Sequence, residues 1–283
     1  MTDTAGKSSP PRVLQNRYEL RNQLGKREEQ RTLLALDRQT KTPVVLKFLL
    51  FPPELPADRL EKLEKTSTTL KALFHPAIPT YLDSFVIDLP PVKAFVVVQE
   101  YVEAQSLKEY LKTGQILTES EARNMARNIL DILAYLHGLP TPVIHSNIKS
   151  SNVLLAKPRE GTTVGRGDRL FLTDFGALQA AVTPDDSTSR ITNNFIHMPP
   201  EQFAGRPLLA SDLYALGMTL IDSLTTVSMM ELPRRKQRIL FEEAMNVSPG
   251  FADWLKRITE PDTAFRFPSV QVALDALEKL MAQ

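Results

Sequence analysis

The stretch VIHSNIKSSNVLL, residues Val143 to Leu155, decides how this chain is read. A polar middle carrying His145, Asn147, Lys149 and Asn152 leads into a β-prone exit, predicted as a strand around Val153 to Ala156. Upstream, VVLK ends at Lys47; downstream, LTDFG ends at Gly176. Lys47 lies between apolar VVL and FLL, which argues against a plain solvated strand lysine.

Working outward, TLLALDRQTKTPVVLKFLLF (Thr32 to Phe51) reads as two strands around a polar turn at Asp37 to Thr42. PADRLEKLEKTSTTLKALF has leucines at 60, 63, 70 and 73, the spacing of a helix that His75 and Pro76 should end. VKAFVVVQEYV (Val92 to Val102) is another apolar, β-prone run. After Ser106 helices dominate: Thr118 to His137, Ala210 to about Leu224, Gly250 to Ile258 and Ser269 to Met281, with a further short strand at Leu170 to Thr173. This order predicts an α+β protein. A flexible lead-in over residues 1–16 precedes a domain over 17–283, with a strand-rich lobe to about 102 and a larger helical lobe from about 103.

Bulk properties exclude several classes. The 283 residues are 42% hydrophobic, enough for one large domain or two lobes. Thirty-four basic residues nearly balance 33 acidic ones, so charge gives no argument for a nucleic-acid or membrane partner. No cysteine is present, which excludes disulfides, thiol catalysis and cysteine-ligated metal. The four histidines show no metal-ligand spacing. With no apolar run of about 18 residues and no apolar core near the N-terminus, a cytoplasmic protein without a membrane span is expected.

The ordered set VVLK, VIHSNIKSSNVLL and LTDFG resembles the signature of the protein kinase superfamily: a strand lysine, a catalytic loop, then the metal-binding Asp-Phe-Gly. MPPE, ending at Glu201, stands in the place of Ala-Pro-Glu. SDLYALG supplies Asp212, and RITEPDTAFRFPS supplies Arg266, the family's partner for that glutamate. The resemblance runs from about Tyr18 to the C-terminus, and KFLLF, HPAIPTYLD and MPPEQF look most like bacterial, especially cyanobacterial, serine/threonine kinases. It implies a bilobal fold, with His145, Phe175, Glu201, Asp212 and Arg266 as structural residues. It also implies ATP and Mg²⁺ as ligands: Gly25, Thr32, Val45, Lys47, Glu100, Val102 and Leu154 around the nucleotide, Asn152 and Asp174 on the metal.

The departures from the pattern concern chemistry. In LGKREEQRTLLA, Gly25 is kept but Arg27 and Gln30 replace the second and third glycines that let backbone approach phosphates, and a solvated surface turn is the plainer reading of that segment. Thr32 and Val45 replace the usual valine and alanine beside adenine. Thr66 occupies the place of the helix glutamate that holds Lys47, while Glu61 and Glu64 lie well round the helix. Ser146 replaces the arginine that reads activation-segment phosphorylation. Asn147 replaces the aspartate that accepts the proton of the substrate hydroxyl; an amide can orient a hydroxyl but cannot take its proton. Lys149, which normally touches the transferred phosphate, is retained. In NNFIHMPPE, Asn193 and Asn194 replace a Gly-Thr pair, and His197 stands at a tyrosine position.

Three other features have ordinary explanations. KPREGTTVGRGDR (Lys157 to Arg169) is glycine-rich, but no helix follows it to bind phosphate, so a hairpin connection is expected. Ser187, Thr188 and Ser189 lie in a polar loop that would lack its phosphate reader, and Trp254 sits at core spacing with Phe251 and Ile258. Loss of proton acceptance alone corresponds to about 10²–10⁴-fold in rate. The expectation is therefore a pseudokinase with no catalytic set intact, binding another protein (an active kinase or a regulated complex) as a scaffold or allosteric regulator, with weak ATP and Mg²⁺ binding. The alternative is a slow serine/threonine kinase or other kinase-fold transferase using Lys47, Asn152 and Asp174.

Overall fold

The structure, a computed structural model, describes residues 13–27, 30–156, 169–182 and 195–282. The chain forms two compact units: residues 1–73 with 80–101, and residues 74–79 with 102–283. The tail up to residue 12, most of the 157–169 segment, and the segment holding Ser187, Thr188, Ser189, Asn193 and Asn194 lie outside the described residues.

The first unit is a six-stranded antiparallel sheet with one helix. Its strands are β1 (Val13–Leu14), β2 (Tyr18–Arg27), β3 (Gln30–Asp37), β4 (Pro43–Phe51), β5 (Tyr81–Leu89) and β6 (Val92–Glu100), in the order β1-β2-β3-β4-β6-β5. Helix α1 (Ala57–Lys71) follows β4. Alternation fixes the two faces. Val44, Leu46 and Phe48 of β4 join Val96 and Val98 of β6 in one apolar cluster, so Val45, Lys47, Val97 and Gln99 point to the other face. Leu63, Ser67 and Leu70 are the buried stripe of α1, and Ser67 donates its hydroxyl to Ser84 of β5 at 3.0 Å. At the far end of the sheet Arg17 grips Asp37 with two hydrogen bonds of 3.0 and 2.7 Å, which holds that buried carboxyl well below the usual carboxylate range.

Two expectations about this unit are corrected. Val13 and Leu14, assigned to a flexible lead-in, pair with Glu19 and Tyr18 as β1. Helix α1 ends at Lys71 with Ala72 as its cap, before His75 and Pro76, because the Ala72 and Leu73 N–H groups turn to the Thr69 and Leu70 carbonyls and close the last turn.

The second unit is helical. Its elements are β7 (Ala104–Ser106), α2 (Leu107–Leu111), α3 (Glu119–His137), β8 (Val153–Ala156), β9 (Leu170–Leu172), α4 (Gly176–Val182), α5 (Pro200–Phe203), α6 (Leu209–Leu224), a two-stranded hairpin of β10 (Arg234–Arg235) and β11 (Arg238–Ile239), α7 (Pro249–Ile258) and α8 (Val270–Met281). Helix α3 starts at a reciprocal cap: Thr118 accepts from the Glu121 N–H, and Glu121 accepts from the Thr118 N–H. Helix α6 is buried on nearly every side, and Gly217 lets α7 approach it. A Cβ there would lie 2.5 Å from side-chain carbons of Ile258 and Thr259. Trp254 packs between Phe251 and Phe267 and donates its indole N–H to the Ala273 carbonyl at 3.0 Å, a core residue as its spacing predicts. Helices α2 and α4 and the hairpin carry no periodic signal long enough to read from sequence.

Arg266 ties this unit together. Its guanidinium is fully buried and meets Glu201 at 2.7 Å, while donating to the carbonyls of Ala210, Glu260 and Pro261. Ser211 donates to the same Glu201 carboxylate at 2.8 Å. Every partner is supplied, so removing one end leaves the other charge stranded. Replacing Arg266 with leucine is expected to lower stability by about 3–5 kcal/mol, read as a shift of the urea midpoint. A shift equivalent to less than about 1 kcal/mol would show that the pair contributes little.

Candidate functional site: the loop around Asn147

The second unit builds the loop from the inside outward. Asp212, on the first turn of α6, is fully buried and accepts the N–H groups of His145 (2.8 Å) and Ser146 (2.8 Å) on its two oxygens; His137 Nε2 lies 3.0 Å away. That grip holds Ser146 in the left-handed region at φ +60°. The Ser146 carbonyl then accepts from the Gln202 side chain at 2.8 Å. It also explains Gly176: a Cβ there would sit 2.8 Å from the Ser146 oxygen. His145 stacks on Phe175 with ring centres 4.5 Å apart, and its carbonyl accepts the Gly176 N–H.

Asn147 and Asn152 face the segment that carries Asp174. The Asn147 Nδ2 donates to the Asp174 carbonyl at 2.8 Å, and the Asn152 Nδ2 donates to the Asn147 carbonyl at 2.8 Å. Asn152 is fully buried; its Oδ1 accepts the Ser151 hydroxyl, and its carbonyl accepts the Thr173 N–H. Asp174 stands at φ +67°, a conformation L side chains rarely adopt. The site thus brings together Asn147, Lys149, Asn152 and Asp174 on hydrogen-bonded neighbouring segments. Asn152 and Asp174 are oxygen donors of the kind Mg²⁺ takes alongside phosphate oxygens. Among the described residues no group of three or more His, Cys, Asp or Glu could hold a metal by itself.

Beneath the loop lies a set of charges the sequence did not reveal as a group. His197 ends a short 3₁₀ turn with its ring 14% exposed and Nε2 3.9 Å from Asp222 of α6. Burial, then the charges of Lys149 and Lys108, lower its pKa to about 4. Burial raises the Asp222 carboxyl above its ordinary value, against a hydrogen bond from Ser150 and the charge of Lys108.

In the first unit, Lys47 is buried on β4, opposite Thr32 on β3 and Val97 on β6. Val45 sits opposite Gln99, and Gly25 opposite Thr32. Among the described residues, a Cβ added to Gly25 would meet Thr32 at an ordinary 3.9 Å. Thr66, half-buried, flanks the inward stripe of α1, with Glu61 and Glu64 exposed. Strands β2 and β3 stay paired as far as Arg27 and Gln30, leaving a two-residue connection that lies outside the described residues, as do the side chains at 27 and 30. Glu100 is exposed at the end of β6 and accepts the Thr80 hydroxyl at 3.0 Å. Val102 and Leu154 are half-buried in the second unit, Leu154 on β8 between Ser106 and Phe171.

Sequence reading missed Gln99. It is 1% exposed on the Lys47 face of the sheet, and both side-chain amide atoms lack a hydrogen-bond partner among the described residues. The available signal was one amide inside the apolar run VKAFVVVQEYV. A buried amide without partners is costly.

Residues 18–275 match the model of the protein kinase domain, and the chain belongs to that family. It is 32% identical over 282 residues to the serine/threonine-protein kinase PknA of Nostoc, covering 94% of this chain and 48% of that protein. It is 31% identical to the serine/threonine-protein kinase B of Synechocystis, covering 94% and 47%. The chain therefore spans about half the length of these curated relatives. The fold is shared with the PknI kinase domain of Mycobacterium tuberculosis, with a TM-score of 0.70 at 19% identity over 98% of this chain and 100% of that one. The expected α+β, bilobal kinase fold and the likeness to bacterial serine/threonine kinases both hold. No described helix is long and apolar enough to cross a membrane.

Two measurements probe this chemistry. A histidine whose folded pKa lies below its unfolded value adds stability above about pH 6.5 and loses it as pH falls toward 4. Between pH 7 and 5 the His197 contribution should shrink by about 2 kcal/mol, and His197→Phe should flatten the fall in denaturant midpoint over that range. An unchanged pH profile in the variant would contradict the buried neutral ring. Gln99→Met, which removes the orphaned amide at similar volume, should raise stability by about 1 kcal/mol in nucleotide-free protein; destabilisation would mean that the amide is satisfied.

Proposed function

We propose that this kinase domain acts in the cytoplasm through binding another protein, an active kinase or a regulated complex, as a scaffold or allosteric regulator. In this reading it binds ATP and Mg²⁺ weakly and has impaired phosphotransfer. The observation that carries the reading is Asn147. Its amide is held in the loop by its bond to the Asp174 carbonyl, and it has no basicity with which to accept a hydroxyl proton. Thr66 and Ser146, at two other positions where the family carries chemistry, point the same way.

The metal end of the site supports ligand binding. Asn152 and Asp174 would hold Mg²⁺ through oxygen, and Lys47 and Lys149 would supply charge for phosphates. The Gln99 amide, without a partner among the described residues, fits a polar ligand on the Lys47 face. Bound ATP would bring the phosphoryl group and Mg²⁺ would offset its charge. Asn147 would still orient an acceptor hydroxyl through its amide, and the proton would have to leave to solvent.

A second reading has its own support: a slow serine/threonine kinase. The relatives that match 94% of the chain are named serine/threonine-protein kinases, and Lys47, Lys149, Asn152 and Asp174 are all retained. On the comparisons alone this reading is the better supported; the first rests on the residues at 66, 146 and 147. Purified protein assayed for ATP consumption and autophosphorylation separates the two, with Asp174→Ala as control. The first reading expects turnover at background and a thermal shift with ATP that grows when Mg²⁺ is added. Turnover above background that vanishes in the control would establish the second. Asn147→Asp, by restoring a base, should raise any turnover by about 10²-fold or more.

A further inference from the structure

Outside the loop, one surface carries charge that no internal contact explains. The segment ELPRRKQRIL (Glu231 to Leu240) places four cations in five consecutive positions, in a chain whose acidic and basic residues otherwise nearly cancel. It folds as the β10–β11 hairpin, with Arg234 opposite Ile239 and Arg235 opposite Arg238. Lys236 and Gln237 form the two-residue tip at φ +48° and +66°. A tip with both residues left-handed is the tight turn that normally selects asparagine and glycine. Here a lysine and a glutamine adopt it, so the tip holds long polar side chains in an uncommon conformation.

The base of the hairpin is anchored. Leu232, Ile239 and Phe241 are buried, and the Leu240 N–H donates to the Pro233 carbonyl at 2.8 Å. The upper part is held out: residues 234–238 are all exposed. Arg238 docks the hairpin on the neighbouring loop through Glu260, at 3.1 and 2.7 Å. Among the described residues Arg234, Arg235 and Lys236 make no ion pair. Between hairpin and loop runs a groove of about 390 Å³, with Lys236, Gln237 and Arg238 on one side and Glu260, Pro261 and Asp262 on the other. Within the groove Arg238 is matched by Glu260, and Lys236 stands with Asp262; Arg234 and Arg235 lie outside it on the exposed hairpin. Two large apolar side chains are exposed on the same two segments: Leu240 at the hairpin's end, 44% exposed, and Phe265, 67% exposed, whose N–H donates to the Asp262 carbonyl.

We propose that this hairpin and the Phe265 loop form a docking surface for an acidic segment of a partner protein. The carboxylates of that segment would lie on Arg234, Arg235 and Lys236, and an apolar residue would cover Leu240 and Phe265. Charge complementarity selects the partner's chemistry: a local excess of exposed cations on a near-neutral protein attracts an acidic segment. The exposed Leu240 and Phe265 offer apolar surface that an apolar side chain of such a segment would cover, and nucleic acid and lipid enter the test as competitors. The inference names a chemistry for the protein binding proposed above. It stands whichever account of phosphotransfer holds, because its test contains no nucleotide.

The test uses the full chain and a fluorescein-labelled Asp/Glu-rich peptide containing one phenylalanine. Single-stranded DNA of equal charge and phosphatidylserine vesicles serve as competing probes. Saturable peptide binding that weakens with salt is expected. The triple variant Arg234→Glu, Arg235→Glu, Lys236→Glu should weaken it by about tenfold or more, with thermal unfolding unchanged because the three side chains are exposed. The milder pair Arg235→Gln, Lys236→Gln should weaken it severalfold, whereas Gln237→Gly, which relaxes the tip and keeps every cation, should leave it intact. Absence of peptide binding, equal binding by the charge-reversed protein, or tighter binding of the DNA or vesicles than of the peptide would each overturn the proposal.

Discussion

The buried carboxylate of Asp212 is the constraint on which the loop around Asn147 depends. A charge with no exposed surface must have its oxygens satisfied, and here the N–H groups of His145 and Ser146 satisfy them. Those two bonds hold Ser146 in a left-handed conformation. The turn aims the Ser146 carbonyl at Gln202 and presses the backbone against residue 176, where only glycine fits. The positions of Asn147 and Asn152 follow, since Asn152 donates to the Asn147 carbonyl and Asn147 donates to the Asp174 carbonyl.

This scaffold does not depend on the chemistry it usually supports. Asp212, Arg266, Glu201, His145 and Phe175 work by hydrogen bonds, a buried ion pair and ring contact, and all are kept. At 66, 146 and 147 the side chains differ from the family pattern, whereas Lys47, Lys149, Asn152 and Asp174 are kept. An amide at 147 is close in shape to a carboxylate and bonds to the Asp174 carbonyl as a donor. The fold can therefore remain intact while the reactivity at its centre changes. A likeness in fold alone thus carries less about activity than the identity of a few side chains.

Much of the fold was legible in the sequence. Long periodic segments such as Glu119–His137 and Leu209–Leu224 announce themselves, because a helix that buries one stripe, or every side, must repeat apolar residues at its own period. The strands around Lys47 are equally plain from their β-branched runs. Short elements were not. Val13–Leu14, Leu107–Leu111 and Arg234–Ile239 are fixed by pairing, capping or a root in the core, none of which leaves a periodic trace. The end of α1 was read too late, because a proline marks where a helix cannot continue and says nothing of where the chain must turn away sooner.

By itself the sequence determined the family resemblance, the order of the elements and the identities of the residues at 66, 146, 147, 152 and 174, since these are local facts of residue type and spacing. Tertiary structure alone decided which of them meet. It joined Asn147 to Asp174, buried His197 beside Asp222 and Lys149, and left Gln99 unpartnered on the face that carries Lys47. It also raised a run of arginines and lysine on an exposed hairpin and left Phe265 exposed. The physical reason is common to all: burial and long-range pairing are properties of segments brought together from far apart in the chain. No local pattern of residues encodes how much water each one loses.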